Sequence, residues 1–276
     1  MTIDFLYDNI TVDIMFVRGD NLMLLAVDIG NTNITLGVYD DGFLSFTARI
    51  ATDPSKTADQ YAVDIKNMLS IYNCDYTLIE DAIICSVVPT VGHCFSRAIS
   101  TLCHIVPLYL GPGIKTGLNI KIDNPAQLGA DLAAGAVGAL AEYTLPCIII
   151  DMGTATTLSV LNEKGEFLGG VIAAGINLTL KALRENTSQL TSIHIEAPEN
   201  VIGRNTIECM KSGLVLGTAA MLDGLIDRIE DELGTEATVV ATGGLSREII
   251  CHCNRNIIYN ENLLLDGLRI IYEKNN

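Results

Sequence analysis

The stretch that decides the fold, LLAVDIGNTNITLGVYDDGFL at residues 24–44, has a second copy in CIIIDMGTATTLSVLNEKGEF at residues 147–167. Each copy is typical of a buried strand that ends in an aspartate, followed by a tight glycine turn and a strand running back. The same number of residues separates Asp28 from Asp151 and Gly42 from Gly165. A repeat at half-chain spacing predicts two domains of the same kind.

The elements around the two copies follow one order. We predict strands over 24–28, 35–39 and 43–49, a helix over 57–72, a strand over 82–87, a helix over 91–102 and a strand over 105–110. In the second half we predict strands near 146–151, 156–161 and 166–173, a helix over 177–185, a long helix near 206–233, a strand over 238–242 and terminal helices. The order βββαβαβ is that of a ribonuclease-H-like domain.

The predicted fold class is therefore α/β, with two ribonuclease-H-like domains, 23–122 and 123–276, facing each other across a nucleotide cleft. This is the architecture of the sugar kinase, actin and Hsp70 superfamily, so function has to be argued from the site. Residues 1–22 contain no element that pairs with the repeat, and we expect a leader that is disordered or artefactual.

Charge and composition limit the partners. With 276 residues and a formal net charge of −16, the chain repels nucleic acid and anionic lipid, and we expect neither nucleic-acid nor membrane partners. It has no run of eighteen uncharged apolar residues and no signal-peptide pattern, so we expect a cytoplasmic enzyme. Its eight cysteines lie mostly in apolar runs, as in a reducing compartment, and their spacing does not match zinc-binding motifs.

The two glycine turns are candidate phosphate-binding elements. A carboxylate at a strand end, followed by glycine and small polar side chains, directs N–H and O–H donors to one point. Residues 28–35 alone would also suit an Asn-rich hairpin turn, and the second copy at 151–157 favours phosphate binding. Facing turns would bring Asp28 close to Asp151, and a cation would be needed between them.

A third acidic residue lies between the copies, in DNPAQLGAD at 123–131. Residues 124–127 form a capping-box pattern, which predicts a helix with Asp131 in its second turn and Gly135 and Gly138 on the same face. Asp131 could accept the proton of an alcohol that attacks a phosphate, or it could be a solvated residue above a helix-packing groove. Proximity to the two turns would favour the first interpretation. In the second half, ATGGLS at 241–246 follows a strand and suits an adenosine-binding turn.

Together these motifs resemble type III pantothenate kinases over essentially the whole chain from Met23 onward. The motifs that carry the resemblance are DIGNT (28–32), CSVVP (85–89), GPGIKTGL (111–118), DNPAQLGAD (123–131), DMGTATT (151–157), IGRNT (202–206) and ATGGLS (241–246). The resemblance implies ATP-dependent phosphorylation of pantothenate to 4′-phosphopantothenate, the first step of coenzyme A biosynthesis. It also implies Mg²⁺ on the nucleotide, a monovalent cation (K⁺ or NH₄⁺), and a homodimer with substrate at the interface.

The resemblance also implies roles for particular residues. Asp131 would be the proton acceptor, and Asp151 would bind the monovalent cation. The residues that would bind ATP are Asp28, Ile29, Gly30, Asn31, Thr32, Asn33, Ile34, Thr35 and Thr154. The residues that would surround pantothenate are Gly129, Ala130, Asp131, Leu132 and Thr206.

Two alternatives remain open. One is a kinase of the same superfamily that acts on another small alcohol. The other is a catalytically silent paralogue that binds nucleotide and regulates a partner, suggested by Leu132 and Ile122 where family members often have arginine and tyrosine. An actin-like or chaperone-like ATP switch is disfavoured, because so short a chain has little room for the necessary insertions.

Overall fold

The first half of the chain builds a five-stranded sheet. The computed structural model describes residues 23–186, 190 and 193–276, so the prediction for residues 1–22 lies outside the described residues. The elements are β1 (Met23–Ile29), β2 (Asn33–Asp40), β3 (Phe43–Ala51), α1 (Ala58–Ile71), β4 (Ile79–Ser86), α2 (Pro89–Cys103) and β5 (Leu108–Tyr109). The strand order is β3-β2-β1-β4-β5, with β2 antiparallel to both its neighbours and β4 parallel to β1 and β5.

The second half builds a six-stranded sheet. Its elements are β6 (Asn119–Ile120), α3 (Ala130–Glu142), β7 (Cys147–Met152), β8 (Ala155–Leu161), β9 (Glu166–Ala174), α4 (Ile176–Glu185), α5 (Thr206–Lys211), α6 (Gly217–Leu233), β10 (Thr238–Thr242), α7 (Ser246–Ile250), β11 (Ile258–Tyr259) and α8 (Leu263–Glu273). The strand order is β11-β10-β7-β8-β9-β6. Apart from β6, this order repeats that of the first sheet, and it confirms the repeat predicted from the sequence.

Strand β1 is buried on both faces because helices cover both sides of its sheet. Leu25 and Val27 pack in one core with residues of α1 and α2. Leu24 and Ala26, which point to the opposite face, pack in another core with residues of α3 and α8. The continuous apolar run of this strand is therefore the pattern of a central strand between two helical layers.

Two elements cross the predicted boundary between residues 122 and 123. Strand β6, from the first half, pairs in parallel with β9 of the second sheet. Helix α8, at the end of the chain, packs on the first sheet and against α3. A Cβ on Gly138 would collide with the carbonyl oxygen of Leu263, so the α3–α8 crossing requires glycine there. The domain boundary itself stays a prediction.

The start of the helix predicted from the capping-box pattern, at Pro125 after Asn124 as N-cap, is wrong. Pro125–Gln127 form a single 3₁₀ turn, in which the Asn124 side chain accepts a hydrogen bond from the N–H of Ala126. Leu128 is extended and interrupts the helical path, so α3 begins only at Ala130, after Gly129 as its N-cap. Asp131 consequently lies in the first turn of the helix, not in the second.

The long helix predicted near 206–233 is continuous but not uniform. A π-helical turn at Ser212–Leu216 joins α5 to α6. Within the described residues, Thr206–Leu233 is the one helical segment long and apolar enough to cross a membrane, by length and composition alone. Leu214, Leu222 and Ile226 on this segment pack in the core under the second sheet.

Candidate active site

The two glycine turns occupy corresponding positions in the two sheets. In the first sheet Asp28 pairs with Thr35 across the β1–β2 hairpin, and the N–H of Gly30 donates to the carbonyl of Asn33. In the second sheet Asp151 pairs with Thr157, and the N–H of Gly153 donates to the carbonyl of Ala155. The second turn closes one residue earlier, because Met152 pairs with Thr156 whereas Ile29 pairs with Ile34.

The two turns and the start of α3 line one cleft of about 610 Å³. Most of the residues predicted to form the site lie in its wall: Asp28, Gly30, Asn31, Thr32, Asn33, Thr35, Asp131, Leu132, Asp151 and Thr154. The structure thus brings the three predicted acidic residues into one cavity. That arrangement distinguishes Asp131 from an ordinary solvated residue on a helix.

Five predicted site residues are not in the cleft wall. The side chains of Ile29 and Ile34 are fully buried in the first core, so only their backbones are available to a ligand. Gly129 and Ala130 lie at the start of α3, directly before Asp131. Thr206 is exposed at the first position of α5.

The three carboxylates act on one another electrostatically. Asp28 reaches the cleft surface but is largely surrounded by protein, and burial raises its pKa to about 7, with further contributions from Asp151 and then Asp131. Burial also raises the pKa of Asp151 to about 6, with Asp131 as the next cause. Near neutral pH the cleft therefore concentrates negative charge that is poorly solvated, and a bound cation would relieve it.

The donor set suits a cation shared with a ligand better than one enclosed by protein. Among the described residues no group of three or more His, Cys, Asp or Glu side chains could hold a metal ion by itself. Hard cations such as Mg²⁺ are commonly held by one or two carboxylates together with water and substrate phosphates. Asp28 and Asp151, facing the same cleft, fit that kind of coordination.

Glycines allow the second turn to be packed closely from two sides. Gly243 has φ +96°, and a Cβ there would lie 2.7 Å from Oδ1 of Asp151 and 2.7 Å from the backbone N of Met152. Gly175, before α4, similarly lies against the backbone carbonyls of Gly153 and Thr154. The position of Asp151 therefore depends on the absence of side chains at these two glycines.

Sequence reasoning missed several residues in the cleft wall. These are Arg49, Val87, Asn177, Leu178, Lys181, Glu261, Leu264 and Leu265; the other lining residues belong to the predicted turns at 28–35, 151–157 and 241–246 or to the start of α3. Thr157 lines the cleft, and its Oγ1 is buried without a hydrogen-bond partner in the described part of the chain. The sequence alone would not have placed Arg49 here. Regular pairing across the Asp41-Gly42 turn sets Ala48 opposite Thr35, and a register shift between Val38 and Tyr39 brings Arg49 to that place instead.

Solved structures of other proteins share the fold of this chain. A Campylobacter jejuni protein provisionally described as a Baf family transcriptional activator superposes with a TM-score of 0.59 at 17% identity, covering 91% of this chain and 98% of that one. A Sinorhizobium meliloti protein provisionally described as a 2-dehydro-3-deoxygalactonokinase gives 0.54 at 14% identity, covering 91% and 96%. At such identities the likeness shows the fold alone, an α/β fold of two ribonuclease-H-like domains.

Sequence relatives specify the family within that class. The type III pantothenate kinase family profile matches residues 24–228. A type III pantothenate kinase from an Exiguobacterium species is 42% identical over 253 residues, covering 92% of this chain and 99% of the relative. Another, from Halalkalibacterium halodurans, is 41% identical over 253 residues, covering 92% and 100%. The chain belongs to the type III pantothenate kinase family.

Proposed function

We propose that the protein transfers the γ-phosphoryl group of ATP to the 4′-hydroxyl of pantothenate, giving 4′-phosphopantothenate, the first step of coenzyme A biosynthesis. The observation that carries the proposal is the convergence of Asp28, Asp131 and Asp151 in one cleft between two glycine turns. Family membership indicates pantothenate as the substrate, because the relatives that match over their whole length are type III pantothenate kinases.

Asp131 is the residue we assign to the acceptor alcohol. Its Oδ1 accepts a hydrogen bond from the N–H of Leu132 at 2.8 Å, which fixes the carboxylate at the start of α3. Within the described residues Oδ2 has no hydrogen-bond partner, so it is available to receive the proton of the 4′-hydroxyl. Phosphoryl transfer passes through a loose transition state, and orienting that hydroxyl is therefore a large part of its role.

The phosphate chain is assigned to the two turns. Backbone N–H groups and hydroxyls of residues 30–35, together with Thr154, would donate to the phosphate oxygens. Mg²⁺ on the nucleotide would lie near Asp28, and a monovalent cation, K⁺ or NH₄⁺, near Asp151. When bound, these ions would neutralise phosphate charge and allow both buried carboxylates to remain ionised.

We further propose a homodimer with pantothenate at the interface, working in the cytoplasm without nucleic-acid or membrane partners. Thr206 is exposed and outside the cleft of a single chain, so a role in pantothenate binding calls for a second copy to bring it there. Val201 and Ile202 nearby are 71% and 83% exposed, and Ile207 follows Thr206 directly. An apolar surface of this kind suits a contact between two copies.

The decisive variant is Asp131→Asn. It keeps the shape of the side chain but cannot accept the hydroxyl proton, so pantothenate-dependent ADP release should fall at least 100-fold, the low end expected for a lost general base. ADP release is measured in a coupled assay with and without K⁺, and Mg·ATP binding is measured by calorimetry. ATP affinity should be retained.

Asp123→Asn is the matched control, because it removes an exposed carboxylate from the same segment. Normal turnover by Asp131→Asn would refute its assignment as proton acceptor. Wild-type protein that binds ATP but releases no ADP with pantothenate would point to the silent regulatory paralogue. ADP release with another alcohol from an acceptor panel would point to a different substrate.

A further inference from the structure

Acidic side chains outnumber basic ones in the cleft wall. Four carboxylates line the cleft, from Asp28, Asp131, Asp151 and Glu261. In the part of the chain that the structure describes, the cationic side chains lining it are those of Arg49 and Lys181. In a protein with net charge −16, the general field repels a polyphosphate, so cations at the site itself matter more than usual.

Arg49 belongs to the same row of side chains as the first glycine turn. Across the sheet, Asp28 on β1 pairs with Thr35 on β2, and Thr35 pairs with Arg49 on β3. Paired residues of neighbouring strands point to the same face, and all three line the cleft. Arg49 is therefore positioned on β3 directly beside the turn expected to hold phosphate.

The repeat shows that the fold does not require an arginine at this position. The corresponding row in the second sheet is Asp151, Thr157 and Ile172. Ile172 is 75% exposed and does not line the cleft. The two rows are alike in backbone geometry but differ in chemistry, so the arginine is specific to the first half.

Among the described residues, Arg49 has no ion-pair partner that would explain its presence as a purely structural one. It is exposed, and it forms no ion pair with any of the described residues. Arg49 lines the same cleft as Glu261, which follows β11. Burial and Glu261 raise the pKa of Tyr259 on β11, and the charge of Arg49 opposes them.

We propose that Arg49 binds the phosphate chain of the nucleotide from the side of the first sheet. The proposal rests on the proposed function, since it takes the cleft to be a nucleotide site. A guanidinium presents paired N–H donors that match two phosphate oxygens, and it keeps its charge at every physiological pH. It would offset part of the repulsion between the phosphates and the neighbouring carboxylates.

The test is a calorimetric titration of the full chain with Mg·ATP, Mg·ADP and adenosine, without pantothenate. Arg49→Ala should bind Mg·ATP roughly 10- to 100-fold more weakly, as expected for one lost charge-assisted contact, while adenosine binding stays unchanged. Arg49→Lys should recover part of the affinity, because it keeps the charge but not the paired donors. Arg97→Ala is the charge-matched control, an exposed arginine on α2 that does not line the cleft.

Three outcomes would overturn the proposal. Equal Mg·ATP affinity in wild type and Arg49→Ala would show that the arginine does not touch phosphate. An equal loss of affinity for adenosine and ATP, reproduced by Glu261→Gln, would indicate that Arg49 only holds the two sides of the cleft together. A wild-type protein that binds no Mg·ATP would refute both this proposal and the proposed function, whereas the first two leave the proposed function standing.

Discussion

Asp28→Asn should make the ligand-free protein more stable at alkaline pH while impairing nucleotide binding. The ordinary pKa of an aspartate is 3.8, and burial together with Asp151 and Asp131 raises that of Asp28 to about 7. Between these values the folded protein holds a proton that the unfolded chain has released. The free energy of unfolding therefore falls as pH rises from about 4 to about 7, and the loss is complete above pH 7.

The size of the effect follows from the two pKa values. A change from 3.8 to about 7 corresponds to roughly 4 kcal/mol of disfavoured ionisation. Removing the carboxylate would recover this free energy of unfolding, but an asparagine amide buried without hydrogen-bond partners would cost about 1–3 kcal/mol. We expect a net stabilisation of about 1–3 kcal/mol at pH 8, which for a chain of this size raises Tm by about 2–5 °C. At pH 5 the difference should be smaller.

The assay is thermal unfolding from pH 5 to pH 8, in buffer without nucleotide and with low cation concentration. Wild type and Asp28→Asn are compared at each pH, so the titration of groups that do not interact with Asp28 cancels in the difference. Asp231→Asn, which removes an exposed carboxylate on α6, should leave Tm unchanged. An Asp28→Asn protein no more stable than wild type at pH 8, or a difference independent of pH, would refute the reasoning.

Two glycine substitutions, with a third as a control, test the packing around the site. Gly138→Ala should lower the free energy of unfolding by about 1–3 kcal/mol in a denaturant titration, because its Cβ would collide with the Leu263 carbonyl. A Cβ at Gly135 would contact only a side-chain methyl of Leu264 at 3.4 Å, so Gly135→Ala should be neutral or slightly stabilising. Equal losses in the free energy of unfolding for Gly138→Ala and Gly135→Ala would contradict the close α3–α8 crossing. Gly243→Ala should weaken Mg·ATP binding at least about 10-fold, since a Cβ 2.7 Å from Oδ1 of Asp151 must displace that carboxylate. Unchanged ATP affinity would mean that the position of Asp151 is unimportant for the nucleotide.

Local sequence determined the strands that carry the acidic residues. The apolar runs ending in Asp28 and Asp151 could form little other than buried strands, and their constant spacing exposed the repeat. The long helices were equally predictable, because their apolar residues recur at helical spacing. Predictions were weaker where elements are short: β6 and β11 have two residues each, too few for any periodicity. The start of α3 was misplaced because Asn124, Pro125 and Gln127 satisfy a capping pattern that belongs to a 3₁₀ turn.

Only the tertiary structure decided which side chains share the cleft. Arg49, Lys181 and Glu261 come from separate segments of the chain, and no local pattern relates them. The return of α8 to the first sheet likewise depends on the contact between backbones at Gly138 and Leu263, which are distant in sequence. The sequence by itself determined the repeat and its acidic turns, because strand and turn preferences act over a few neighbouring residues. Long-range packing decided the electrostatics of the site, because a pKa depends on burial and on every charge brought near it.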